Sequence, residues 1–190
     1  MKRPYIQTDP LLLFCVPTLL LLVPFPWFCA VMIAALVHES AHLICVTALG
    51  GRVQKISFEI PGAVISAFAP DHLAHCISIA AGPVFSLSLT LWRNIYPELA
   101  FCGLVQGLYN MLPVLPLDGG RLAVLFLDRY IPEKAGLLME VICHICQILI
   151  LGMIIFTAIQ RHWQYFPVEF LLLFSLMRKS PCKDVRIKVQ

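Results

Sequence analysis

Residues 10–49 form an apolar run of about 40 residues, interrupted only by a few polar side chains. A helix rising 1.5 Å per residue crosses the hydrocarbon of a bilayer in about 20 residues, so the run holds two crossings. The "PFP" of Pro24 to Pro26 breaks it in the middle, and a tight helical hairpin is expected. The rest of the chain continues the pattern: 59% of the 190 residues are hydrophobic and 13% are charged. Such a composition lies outside that of soluble globular domains and assigns the chain to the integral membrane proteins.

Further spans follow about the same length rule, giving six in all at roughly 10–24, 27–49, 73–92, 98–117, 135–159 and 166–177. The expected fold is an all-α membrane protein, a six-transmembrane-helix bundle forming one domain over residues 1–190, with no soluble accessory domain. The basic start and apolar run of the first span resemble a signal peptide, but no small-residue cleavage site follows, so this span is read as uncleaved. Between the second and third spans, "GRVQKISFEIPGAVISAFAP" alternates apolar and polar residues with Gly and Pro interruptions. It reads as a short membrane-associated β segment of one or two strands. The segment "RLAVLFLDRYIP" is too short and too charged to cross and is placed in the interface. Seven of the eight cysteines sit in apolar runs and read as small packed thiols; this includes the Cys143/Cys146 pair.

Orientation follows from the basic residues. With the N-terminus in the cytosol, Lys and Arg gather on the cytosolic side and only Arg93 and Arg161 lie outside. Trp27, Trp92 and Trp163 then fall at the outer interface, where amphipathic rings are favoured. Both termini are expected in the cytosol, in a multi-pass protein of the cell membrane, specifically a bacterial cytoplasmic membrane. The net charge of +3 comes from scattered side chains, which argues against a nucleic-acid surface.

The second span contains "HESAH", which places His38, Glu39 and His42 in hydrocarbon, where each ionisable group is expensive. On a helix, residues four apart share a face, so His38 and His42 can present two imidazoles to one ion while Glu39 reaches a water bound to it. Counting back from Gly50 puts His42 about 12 Å and His38 about 18 Å below the cytosolic surface. Two neutral imidazoles and one carboxylate with an open position make a catalytic zinc site. The bland alternative is a pair of core histidines bonded within the bundle. For the third ligand, Asp118, Glu140 and His144 all lie at suitable depth, and spacing does not choose among them.

"HESAH" together with the downstream "NMLPVLPLDGGR" resembles the site-2 protease family of intramembrane zinc metalloproteases, whose second motif reads N-x-x-P-x-x-P-x-D-G. The resemblance covers roughly residues 30 to 125. It implies one Zn2+ per chain held by His38, His42 and Asp118, with Glu39 as catalytic acid/base. It also implies a substrate-binding loop shaped by Asn110, Pro113 and Pro116. The segment "AAGPVFSL" resembles the family's small-residue stretch in the third span, although an Asn common there is replaced around Phe85 to Ser88. The expected substrate is a membrane protein or membrane-tethered protein cleaved in or near its transmembrane segment, with the bilayer as surroundings and room for a regulatory membrane partner. Six spans without a PDZ or CBS domain look most like the sporulation proteases that release a pro-sigma factor.

A helical substrate must be unwound before cleavage, and strand addition to the edge of residues 55–66 would satisfy its freed backbone. Two other classes compete. A metal or ion transporter also buries ionisable residues, but spreads them through several spans or paired broken helices. A catalytically inactive scaffold would be expected to lack one of His38, Glu39, His42 and Asp118.

Overall fold

The computed structural model describes residues 5–8, 20, 23–59 and 62–159. The sixth expected span and nearly all of the first lie outside these residues. The chain divides into two compact units, residues 1–111 and 112–190.

The first unit contains β1 (Tyr5–Thr8), α1 (Phe25–Ala48), β2 (Arg52–Glu59), β3 (Gly62–Phe68), α2 (His72–Ser88), a 3-10 turn (Leu89–Trp92) and α3 (Pro97–Asn110). Helix α1 begins directly after Pro24, with Pro26 in its first turn, where a missing N–H costs nothing. It ends in a Schellman motif: Gly50 adopts φ +78°, its N–H donates to the Thr47 carbonyl at 3.0 Å, and the Gly51 N–H donates to the Val46 carbonyl at 2.8 Å. The chain therefore turns abruptly out of the helix into β2.

Strands β2 and β3 pair antiparallel, from Arg52 opposite Phe68 to Glu59 opposite Gly62, with a bulge between Val53 and Lys55. β1 joins the other side of β2 in parallel, Tyr5 opposite Lys55 through Thr8 opposite Phe58, giving the sheet order β1-β2-β3. A parallel pair needs a crossover connection, and here that connection includes α1.

The helices of this unit are turned inside out relative to those of a water-soluble protein. On α1 the buried residues are Ala30, Ala34, His38, Ala41 and Val46, whereas Val31, Ile33, Leu36 and Ile44 face outwards. On α2 a row of small residues, Ala74, Ser78, Gly82 and Ser86, is buried, while Leu73, Ile77, Val84 and Phe85 are exposed. Small residues allow close helix approach, which is how helices associate where the surroundings are as apolar as their side chains. Both α1 and the stretch His72–Trp92 are long and apolar enough to cross a membrane.

Helix α2 starts at Asp71, whose carboxylate accepts the Ala74 N–H at 2.6 Å, and it accommodates Pro83 in its interior. Helix α3 buries Ala100, Gly103 and Gly107. A β-carbon at Gly103 would come within 2.6 Å of the Ser86 carbonyl, and one at Gly107 within 2.7 Å of Leu87, so α2 and α3 meet almost backbone to backbone. Trp27 and Phe101 pack edge to face at 5.8 Å and join α1 to α3.

The second unit opens with the turns of residues 112–117, continues as α4 (Asp118–Tyr130) and then α5 (Ala135–Ile159), which pack on each other. Helix α3 stops at Asn110, short of the proline-rich stretch, because Pro113 disfavours helical backbone at the residue before it and cannot donate its own hydrogen bond. Helix α4 is amphipathic, with Asp118, Gly120, Val124 and Leu125 buried. On α5 the buried row is Ala135, Met139 and Cys143, at four-residue spacing.

Candidate metal centre

His38 and His42 stand one turn apart on α1 with their ring centroids 4.8 Å apart and their planes nearly perpendicular. Their Nε2 atoms approach to 3.2 Å. Both Nδ1 atoms are turned the other way, towards α2. The Nδ1–H of His42 donates to the backbone carbonyl of Ser78 at 2.8 Å, and Nδ1 of His38 lies 2.9 Å from the hydroxyl of Ser86.

Because a carbonyl only accepts, the proton of a neutral His42 sits on Nδ1, and its Nε2 carries a lone pair. That lone pair is directed at the Nε2 of His38. Two nitrogen ligands at 2.0–2.1 Å from a tetrahedral ion lie about 3.3 Å apart, close to the observed 3.2 Å separation. The donor chemistry and spacing of this pair therefore fit a zinc-type ion. Gly82 provides room for the arrangement, since a β-carbon there would overlap the His42 ring. Glu39, next in the chain to His38, is half-buried.

The second unit separates the three candidates for a further ligand. Asp118 is 6% exposed, in the first turn of α4, where the helix N-terminus favours a negative charge. Its Oδ1 lies 3.9 Å from the Arg121 guanidinium. Glu140 and His144 are both exposed on α5, and the His144 Nδ1–H donates to the Glu140 carbonyl at 2.7 Å. Asp118 is thus the one buried side chain of the three. A β-carbon at Gly120 would collide with the backbone of Val114 and Leu115, so the proline-rich turn folds tightly over the start of α4.

Asn110 is half-buried, and its Nδ2 donates to the Gln106 carbonyl of its own helix at 3.1 Å. Pro113 is exposed and Pro116 half-buried in the turn that follows. Ser78 and Ser86, the partners of the two imidazoles, belong to neither sequence motif. The available signal is their eight-residue separation, two turns along one face of α2, with Gly82 midway.

Residues 58–154 match the family model for peptidase family M50. The matched range contains the Asn110–Asp118 motif and begins downstream of His38 and His42. Among solved structures, the chain is similar to the site-2 protease from Methanocaldococcus jannaschii, with a TM-score of 0.67 and 20% identity, over 95% of this chain and 93% of that one. At that identity the likeness shows the fold. No curated protein matches.

Proposed function

Because the chain belongs to the site-2 protease family, the membrane-embedded metallopeptidases of family M50, we propose that it is an intramembrane zinc metalloprotease. It hydrolyses a peptide bond in or near the transmembrane segment of a membrane-tethered substrate. The observation that carries this reading is the convergence of the His38 and His42 Nε2 atoms at 3.2 Å, with both Nδ1 atoms held from behind by α2.

In this reading, which rests on the "HESAH" and "NMLPVLPLDGG" motifs, His38, His42 and Asp118 would hold the ion, offering two imidazole nitrogens and one carboxylate oxygen. A bound zinc supplies Lewis acidity to the scissile carbonyl and acidifies the attacking water. Glu39 takes the proton of that water and passes it to the leaving amine. Asn110, Pro113 and Pro116 border the substrate. Support for strand addition comes from the sheet order, which leaves one side of β3 without a partner strand among the described residues. Six crossings, cytosolic termini, a bacterial cytoplasmic membrane and a pro-sigma-factor substrate belong to the same reading, through resemblance to the sporulation proteases.

The test is reconstitution in lipid vesicles with a panel of membrane-tethered single-span proteins. Wild type is expected to release product with one zinc bound, and Glu39→Gln to retain zinc while cleaving about 100- to 10,000-fold more slowly. Equal product from both would remove Glu39 from the mechanism. Wild-type protein without zinc and without product against any member of the panel would overturn the assignment.

A further inference from the structure

The two imidazoles are held from behind in different ways. The partner of His42 is a backbone carbonyl, which fixes the ring's tautomer irrespective of side-chain identity at position 78. The partner of His38 is a hydroxyl, which can donate or accept. If the hydroxyl donated to Nδ1, the proton of a neutral His38 would sit on Nε2 and block the nitrogen that faces His42. If the hydroxyl accepts from Nδ1–H, Nε2 carries the lone pair a metal needs. Neither group has water to substitute for the other: His38 is 3% exposed and Ser86 0%.

Resting on the metal-site reading above, we propose that Ser86 is the positioning residue for His38, accepting its Nδ1–H and so holding Nε2 unprotonated and aimed at the metal. Two other serines of α2 use their hydroxyls as donors into the preceding turn. Ser78 Oγ donates to the Ala74 carbonyl and Ser88 Oγ to the Phe85 carbonyl, each at 2.7 Å. The Ser86 hydroxyl instead faces His38 Nδ1, and as an acceptor there it leaves Nε2 unprotonated. Position 86 thus does for His38 what a carboxylate or carbonyl does behind other metal-bound histidines. It acts through a neutral group, which adds no further charge to a buried site.

The experiment measures zinc affinity by chelator competition, and thermal stability of the metal-free protein in detergent, for wild type and position-86 variants. Ser86→Ala removes the acceptor. Ser86→Cys keeps the size but offers only a weak one, and Ser86→Thr restores a hydroxyl. The expected result is zinc affinity about 10- to 100-fold weaker in Ser86→Ala and Ser86→Cys, with the metal-free melting temperature lowered only by the loss of one buried hydrogen bond, and affinity largely recovered in Ser86→Thr. Ser88→Ala, on the exposed side of α2, is expected to bind zinc like wild type. Wild-type affinity in Ser86→Ala or in Ser86→Cys, while wild type holds one zinc that His38→Ala loses, would overturn the inference and leave the metal-site reading standing. A wild-type chain that binds no zinc would overturn both.

Discussion

Gly82 lies against the His42 imidazole so closely that a β-carbon at position 82 would meet ring atom Cδ2 at 2.8 Å and Cε1 at 2.5 Å. The clash falls on the far end of a side chain, not on backbone, so the bundle can accommodate it by swinging the ring. The ring cannot swing without losing its hydrogen bond to Ser78 and its aim at His38. Gly82→Ala is therefore expected to weaken zinc binding about tenfold or more while leaving thermal stability nearly unchanged. Chelator competition alongside a melting curve separates the two effects, and wild-type affinity would show that the ring has another way to settle.

Burial distinguishes Asp118 from the exposed Glu140 and His144. Asp118→Asn is expected to lower zinc content well below one per chain. Glu140→Gln and His144→Gln are expected to keep it at one. Elemental analysis of the three purified variants is sufficient, and zinc retained by Asp118→Asn but lost by either of the others would reassign the third ligand.

Enlarging Gly103 or Gly107 acts on the fold instead of the metal. A new side chain at Gly103 would meet the Ser86 carbonyl at 2.6 Å, so backbone must move, and at Gly107 it would meet the Leu87 side chain at 2.7 Å and press on the Pro83 carbonyl at 3.1 Å. Gly103→Val and Gly107→Val are each expected to cost about 1–3 kcal/mol, the usual range for overpacking. Denaturation in mixed micelles reads this directly; stabilities equal to wild type would mean that α2 and α3 are looser than their spacing indicates.

Gly50 presents the opposite case. Nothing lies within 4 Å of a β-carbon built there, yet its φ is +78°. The penalty is conformational alone. Gly50→Val is expected to destabilise by about 1–2 kcal/mol, and Gly50→Asn by less, since Asn tolerates left-handed backbone. Unfolding curves that rank Asn below Val would contradict this.

What could be read from the sequence was whatever depends on short separations. The four-residue interval between His38 and His42 places both rings on one face of a helix, and "PFP" marks where α1 starts. Strands β2 and β3 lie in the stretch that alternates after Gly51. Long-range pairing was not legible. Tyr5–Thr8 carry no sign that they align beside Lys55–Phe58, about 50 residues later, because parallel partners share no turn that a local reading could detect. The hydroxyl behind His38 was missed for a similar reason. Ser86 is 48 positions away, in a segment noted only for its small residues and for an asparagine it lacks. That Asp118 is buried while Glu140 and His144 are exposed is likewise a difference that depth along a span does not supply.

The inverted layout of α1, alanines inward and branched aliphatics outward, has a thermodynamic consequence. In lipid, separating α1 from its neighbours trades contact with small side chains for contact with acyl chains, and wets little new apolar surface. The heat-capacity increment that bends the stability curve of a water-soluble domain comes from such wetting. Pulling this helix cluster apart inside a bilayer should therefore give a van't Hoff plot close to a straight line, without the low-temperature loss of stability that exclusion of water imposes on ordinary cores.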